Sequence, residues 1–386
     1  MAFKTTKSAL AVAIIVSSSS AAAVTVNLEK GTQLEVYGSV KLDLIYDVDD
    51  KMGPLVNYGA ITLDGEDAPD GFADLHVYQS NLGFKTTTPT SFGNIETVIE
   101  GEFFGGGGGE FLLNHAYVKT DNLLAGQFWS NFSNFIAKTP TIDFLGGVGQ
   151  TVLDQQPQLR YTKGGFSAAV EKPGNLGGQS RIFFDTNLDA TPDFIEEKNV
   201  FPDLTLQYQS RMDRFTYGLS GVIRSVEFFN DATSSEERSV GYGLALSGKF
   251  QLTNDLSIQG GYVAGDGIGT YLYGNPVPVA FYDPIDNDVE TIKAQGATLG
   301  MSYNGLTLGQ VNIAFGMVKG DLDDAEDAGL DVDSEMEEIQ SIYVNYLWSD
   351  DYGIQYGVEV GNHRKQLVDG REGDATRVQA MVKYGF

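Results

Sequence analysis

Apolar and polar residues alternate with a period of two through most of this chain. In LEVYGSVKLDLIY, Leu34, Val36, Val40, Leu42 and Leu44 share one parity, while Glu35, Lys41 and Asp43 share the other. RFTYGLSGVIR sets Phe215, Tyr217, Leu219 and Ile223 against Arg214, Thr216, Ser220 and Arg224. VQAMVKYGF sets Val378, Ala380, Val382, Tyr384 and Phe386 against Gln379 and Lys383. This period predicts strands with one apolar and one polar face. After the first residues, no segment carries the ~20 apolar residues of a membrane helix.

The connections alternate as well. Short turns are predicted at Thr120–Asn122, Lys163-Gly164, Ser210–Asp213, Thr253–Asp255, Asn304-Gly305 and Ser349–Gly353. Long polar loops are predicted at Val48–Ala73, Asn131–Asp154, Pro173–Pro202, Glu227–Glu237, Gly267–Val289 and Asp321–Glu335. Short turns on one side and long loops on the other, over about sixteen strands from Gln33 to Phe386, match the layout of an outer-membrane barrel. The fold class is therefore all-β, a transmembrane antiparallel β-barrel. Closure would leave no strand edge bare. A secreted β-sandwich also alternates, but it would not need so many strands of this length. Tyr346, Trp348, Tyr352, Tyr356 and Tyr384, near strand ends, suit interfacial aromatic girdles.

The glycine run Gly105–Gly109 lies between two such strands on the long-loop side. No helix start and no Lys-Ser or Lys-Thr pair follows it, which argues against a phosphate cradle. It reads as a hairpin loop of unrestricted dihedrals that lets another segment approach its backbone.

The first residues have a different character. Lys4 and Lys7 precede the apolar run Ala9–Val16, and small residues end at Ala21-Ala22-Ala23. This is the order of a secretory signal peptide over residues 1–23, leaving a short segment 24–32 before a barrel domain over 33–386. Of the 386 residues none is cysteine, so an exported chain would close by burial and backbone pairing alone. Lys and Arg number 25 against 52 Asp and Glu, a formal charge of −27 that excludes nucleic acid as a partner.

Gln79–Phe132 and Thr139–Thr162 carry the blocks S-x-x-G-F-K-T, E-G-x-F-F-G, L-L-A-G-Q-x-W-S-N-F and Q-P-Q-x-R-Y. In these blocks the chain resembles the DcaP-like outer-membrane porins. The resemblance implies a sixteen-stranded barrel in the outer membrane of a Gram-negative cell. It further implies a homotrimer, passing small anionic solutes with dicarboxylates as the associated class. Some members carry a helical segment before the barrel; Val24–Thr32 is too short for a coiled coil. Outer-membrane lipid, lipopolysaccharide and the barrel assembly machinery would be the remaining partners. The terminal Phe386 of an alternating strand resembles the signal recognised for insertion.

The resemblance would also fold Asn131–Asp154 into the lumen as a constriction loop. Its composition suits that: Phe132, Phe135, Ile136, Phe144 and Leu145 can pack on a wall, leaving Asn131, Asn134, Lys138 and Asp143 to face water. Parity assigns Lys41, Lys85, Arg160, Arg224 and Arg377 to the lumen, with Lys41 and Arg377 expected at similar height. A cationic patch of this kind selects anions, and arginine holds a carboxylate with two parallel bonds. Asp43, Glu96, Glu100, Glu102 and Glu171 share the lumen parity, and the net charge points the other way. A general or cation-preferring porin therefore stays open as an alternative.

Asp185, Asn187, Asp189, Asp193 and Glu196 have the spacing of a calcium loop, but Ala190 stands where the turn needs glycine. Calcium in a surface loop is the one candidate ligand; no other cofactor is expected. The acidic run Asp321–Glu338 reads as a solvated loop. His76, His115 and His363 sit in no recognisable nucleophile or metal motif, so the chain is expected not to be an enzyme. A barrel enzyme or adhesin is the remote alternative.

Overall fold

The computed structural model describes residues 23–152, 155–173, 182–183, 200–230, 235–307 and 309–386. The leader through residue 22 and the candidate calcium loop Asp185–Glu196 lie outside the described residues. Among the described residues, sixteen strands close into one antiparallel barrel. The first strand, Gln33–Asp47, pairs with the sixteenth, Glu372–Gly385, from Ser39↔Gly385 to Asp47↔Arg377. Its other edge receives the second strand in two pieces, Phe72–His76 and Asn81–Thr90. The remaining neighbours pair antiparallel in chain order, as parity and turn spacing predict.

Alternation decides which face goes where. Val40, Leu44, Leu244, Leu246, Leu299, Val344 and Val358 are exposed on the outside, while Asp43, Gln158, Thr205, Gln259 and Asn345 are buried inside. Tyr346, Trp348 and Tyr356 stack in series at 5.2 and 5.7 Å on the outer face, at the short-turn end. Amphipathic rings favour that level of a bilayer. The short N-terminal strand Val24–Asn27 pairs with Gln33–Val36 beyond the end of the sixteenth strand, where Phe386 exchanges backbone bonds of 3.0 and 2.9 Å with Gly38.

The glycine run turns between the third strand, Gly93–Gly105, and the fourth, Glu110–Lys119. Gly106, Gly107, Gly108 and Gly109 all have positive φ, from 63° to 134°. A side chain on Gly108 would meet the Tyr78 ring, which sits in the gap interrupting the second strand. The run thus supplies both the left-handed turn and the close approach that glycine alone permits.

Three boundaries differ from the sequence reading. The ninth strand, Phe215–Asn230, and the tenth, Ser235–Gln251, run through the expected loop Glu227–Glu237, because cross-strand pairing continues to Asn230↔Ser235. The twelfth, Lys293–Leu306, passes through Asn304-Gly305 with a register shift between Tyr303 and Leu306. The acidic run is not simply a solvated loop. Leu322, Ala325, Ala328, Leu330 and Val332 are buried in one cluster with Val277, Phe281 and Ile292, and the helix Asp323–Asp327 turns its carboxylates outward.

The long-loop half of the barrel is filled by its own loops. Met52, Tyr58 and Ile61 from one, Phe132, Val148 and Val152 from a second, and Ile268, Tyr271 and Leu272 from a third join wall residues in a single apolar cluster. Gly149 is the wedge that seats the second of these. Its φ is +79°, and a Cβ there would run into the Met317 carbonyl. Gly149→Ala should therefore cost about 1–3 kcal/mol and loosen the loop. Single-channel recording should show a larger or noisier conductance; traces identical to the wild type would refute this placement.

Candidate pore constriction

The loop between the fifth strand, Leu123–Trp129, and the sixth, Gln155–Lys163, lies along the inner wall rather than over the mouth. Two carboxylates hold it. Glu171, 1 % exposed, accepts from Ser130 Oγ at 2.8 Å, Asn131 N–H at 2.5 Å and Thr205 Oγ1 at 3.0 Å. On the far side Glu359 accepts from the N–H groups of Ile142 and Asp143 at 2.9 and 2.8 Å and from Asn345 Nδ2 at 2.8 Å. Charge-assisted bonds of this kind are stronger than neutral ones, which suits an irregular loop with no ladder of its own.

Between these anchors the loop crosses the wall in small steps. Gln207 Nε2 donates to the Ser133 carbonyl at 2.8 Å, Ser247 Oγ to Asn134 Oδ1 at 2.6 Å, and Gln259 Nε2 to Thr139 Oγ1 at 2.9 Å. Val148 N–H then reaches Ser341 Oγ at 3.1 Å, and Gly149 N–H reaches the Tyr273 carbonyl at 2.8 Å. Phe144 stacks on Phe104 of the third strand at 4.8 Å.

Asn131, Asn134 and Asp143 do not face water. They are 0, 7 and 5 % exposed and are bonded to the wall or to the loop's own backbone. The expectation fails because the inside of a barrel is polar. The loop's amides turn toward that wall, the Asp143 carboxylate caps the loop's own Leu145 and Gly146 N–H groups, and its apolar residues pack against other loops and on Phe104. Burial pushes the Asp143 carboxyl up, against the pull of the Gly146 and Leu145 N–H groups. Lys138 is the exception. It is half-buried, and no carboxylate lies within ion-pair distance of its Nζ among the described residues. Burial lowers its ammonium to about 8, with Asp143 pulling in the opposite direction.

The wall cations fall into two groups. Arg377 grips Asp47 through Nε and Nη2 at 2.7 and 3.0 Å and also donates to the Gly53 carbonyl, which fixes the loop after the first strand. Lys41 lies 2.8 Å from Asp43 and donates to the Ile142 carbonyl at 2.9 Å. Arg224 sits 3.6 Å from Asp203 and donates to Thr270 Oγ1 at 2.5 Å. Lys85 lies between Glu35 and Glu96 at 3.7 and 3.6 Å. Arg160 differs from these four. Its guanidinium stands over the Phe128 ring at 5.5 Å and donates to Gln158 Oε1 and the Trp129 carbonyl, with no carboxylate in ion-pair reach among the described residues.

Lys41 and Arg377 are not level. Register sets Lys41 opposite Lys383 and Arg377 opposite Asp47, six residues along the same strand, roughly 20 Å at the strand rise. Counting from unequal strand ends concealed this offset.

Glu359 was missed by sequence reading, although VEVG shows its lumen parity. The inward loops carrying Met52 and Tyr58, and Ile268 and Tyr271, were also readable from apolar residues inside long polar segments. Tyr58 Oη lies 3.1 Å from His363 Nδ1, and His76 stacks on Tyr78 at 4.7 Å. The third histidine, His115, packs against Phe128 and Trp129. Each histidine therefore packs within an aromatic group.

The arrangement is a barrel narrowed from within by its long loops, with the wall-bound loop after the fifth strand packed against two others. The crystal structure of the outer membrane channel DcaP of Acinetobacter baumannii matches with a TM-score of 0.78 and 22% identity, covering 94% of this chain and 99% of that one. An anion-selective porin from Comamonas acidovorans matches at 0.56 and 12%, covering 92% and 100%. The trimer form of OmpT of Vibrio cholerae matches at 0.55 and 10%, covering 92% and 99%. Comparison with curated protein sequences finds no match. The family model for the DcaP outer membrane protein matches residues 7–386, so the chain belongs to the DcaP family of outer-membrane channel proteins.

Proposed function

We propose that this outer-membrane channel is a passive diffusion pore preferring small anions, with dicarboxylates as the favoured class, and that it works as a homotrimer. The observation that carries the reading is the pairing of charges around the constriction. Glu171 and Glu359 are occupied by the loop's N–H groups, whereas among the described residues Lys138 and Arg160 form no ion pair with a carboxylate, Asp143 and Glu171 acting on them only at longer range. A cation left unpaired in a narrow, partly desolvated passage attracts anions more strongly than the same cation on the surface. Two features of similar structures support the reading: one is an anion-selective porin and another is a trimer.

The net charge of −27 favours the competing reading, because acidic rims enrich cations. The reversal potential of the reconstituted protein under a potassium chloride gradient separates the two. Anion preference is expected, with transient block by added succinate or phthalate. A cation-directed potential without block would leave a channel of the opposite selectivity. Arg160→Gln and Lys138→Gln should each lower the anion-to-cation permeability ratio by about twofold or more. No change in either variant would remove both residues from the selectivity mechanism.

A pH dependence follows from Lys138. Its ammonium is lowered from 10.5 to about 8, so it is charged below that value and neutral above it. Anion preference should fall as pH rises from about 7 to about 9, and Lys138→Gln should flatten that profile. A wild-type profile already flat across this range would contradict the assignment.

A further inference from the structure

Register sorts the inner wall of the short-turn half into two unlike arcs. On the first three strands the inward side chains include Glu35, Glu96, Glu100 and Glu102. Tyr37 Oη donates to Glu100 Oε2 at 2.6 Å, and Lys85 is shared by Glu35 and Glu96. From the eighth strand, Asp203–Met212, to the thirteenth, Gly309–Gly320, the same half presents no inward carboxylate among the described residues. Its inward side chains are neutral, as at Gln209, Ser247, Gln259, Ser302 and Asn312, except for Arg211, Arg214 and Lys249. Asp213 and Asp255 lie on the turns below, and neither forms an ion pair with these bases among the described residues.

Two of the three bases stand in one row. Arg211 is opposite Thr216, Thr216 opposite Lys249, and Lys249 opposite Gln259. The backbones of Arg211 and Lys249 are therefore two strand spacings apart, roughly 10 Å. Arg211 Nε donates to the Asp213 carbonyl at 3.1 Å, which leaves its two terminal nitrogens without an intramolecular bond among the described residues. Lys249 is half-buried and forms no ion pair among the described residues. Arg214 is turned away, donating to the Leu252 carbonyl at 3.2 Å.

The row also touches the constriction. Ser247, two residues along from Lys249, donates to Asn134 Oδ1 at 2.6 Å. On the adjacent eleventh strand, Leu256–Asp266, Gln259 Nε2 donates to Thr139 Oγ1 at 2.9 Å. Lys249 thus borders the Asn134–Thr139 stretch of the loop on its short-turn side, and short turns of such barrels face the periplasm.

We propose that Arg211, Thr216 and Lys249 form a second binding station for a dicarboxylate, on the periplasmic side of the constriction and separate from Lys138 and Arg160. One carboxylate would meet the free edge of the Arg211 guanidinium and the other the Lys249 ammonium, with the Thr216 hydroxyl between them. The proposal rests on the anion reading of the pore and extends it beyond the constriction. The two arcs lie about half a circuit apart in a barrel of sixteen strands, so the acids of one repel a dianion toward the bases of the other. Conduction requires sites that a solute can leave as well as enter, and a station past the loop supplies the next step toward the periplasm.

Single-channel recording with succinate added to one compartment at a time tests the station. Because the chain has no cysteine, Asn254→Cys places a single thiol on the exposed turn after the tenth strand. Once biotinylated, that thiol lets streptavidin mark the compartment that the short turns face. From that compartment, Lys249→Gln and Arg211→Gln should each lower the rate of succinate block about threefold, and Lys249→Arg should keep the wild-type rate. From the other compartment all three variants should match the wild type. Unaltered rates in both glutamine variants, or rates slowed equally from both sides, would overturn the station and leave the anion reading standing. Absence of block in the wild type from either side would overturn the station too, and absence of anion preference with it would remove the anion reading.

Discussion

Backbone polar groups in hydrocarbon have no water to bond, and the rest of this molecule follows from that constraint. It obliges the first and sixteenth strands to meet, which they do from Ser39↔Gly385 to Asp47↔Arg377. Once the sheet is closed, its inner face becomes a polar surface, since alternation has already sent the apolar residues outward. That inner surface is what the loop Ser130–Val152 binds, through Gln207, Ser247, Gln259, Ser341 and Asn345. An apolar lumen would offer such a loop no partner for its amides.

The same inner surface changes the meaning of the chain's acidity. A formal charge of −27 suggests a lumen hostile to anions, but many wall acids have structural partners: a base offsets the charge locally, and N–H donors hold a carboxylate without neutralising it. Asp47 is taken by Arg377, Asp43 by Lys41, and Glu171 and Glu359 by backbone N–H groups of the loop. Much of the remaining acid lies in the outer loops, where the helix Asp323–Asp327 turns it outward over an apolar base. Acids thus divide between structural ones at the wall and solvated ones at the mouth.

What the sequence disclosed, and what it concealed, divides along one line. Strand period, closure and the long-loop side depend on local alternation, and Val40, Leu44 and Leu244 displayed it openly. The inward course of the loop was also legible, from Phe132 and Ile136. Pairing partners were not. Arg377 and Arg160 have the same lumen parity, yet among the described residues one is locked to a carboxylate and the other bonds only Gln158 and the Trp129 carbonyl, and that depends on register across strands. The expectation for Asn131 and Asn134 failed similarly, since polarity alone does not distinguish water from a polar wall.

The constriction loop and its second anchor lie far apart along the chain: Ile142 and Glu359 are separated by 217 residues. The loop therefore cannot take its final position until the fifteenth strand is in place. During insertion, an incompletely closed barrel would pass through a stage wider than the finished pore. Narrowing thus depends on a strand near the end of the sequence, and the completeness of the barrel is reported at its centre.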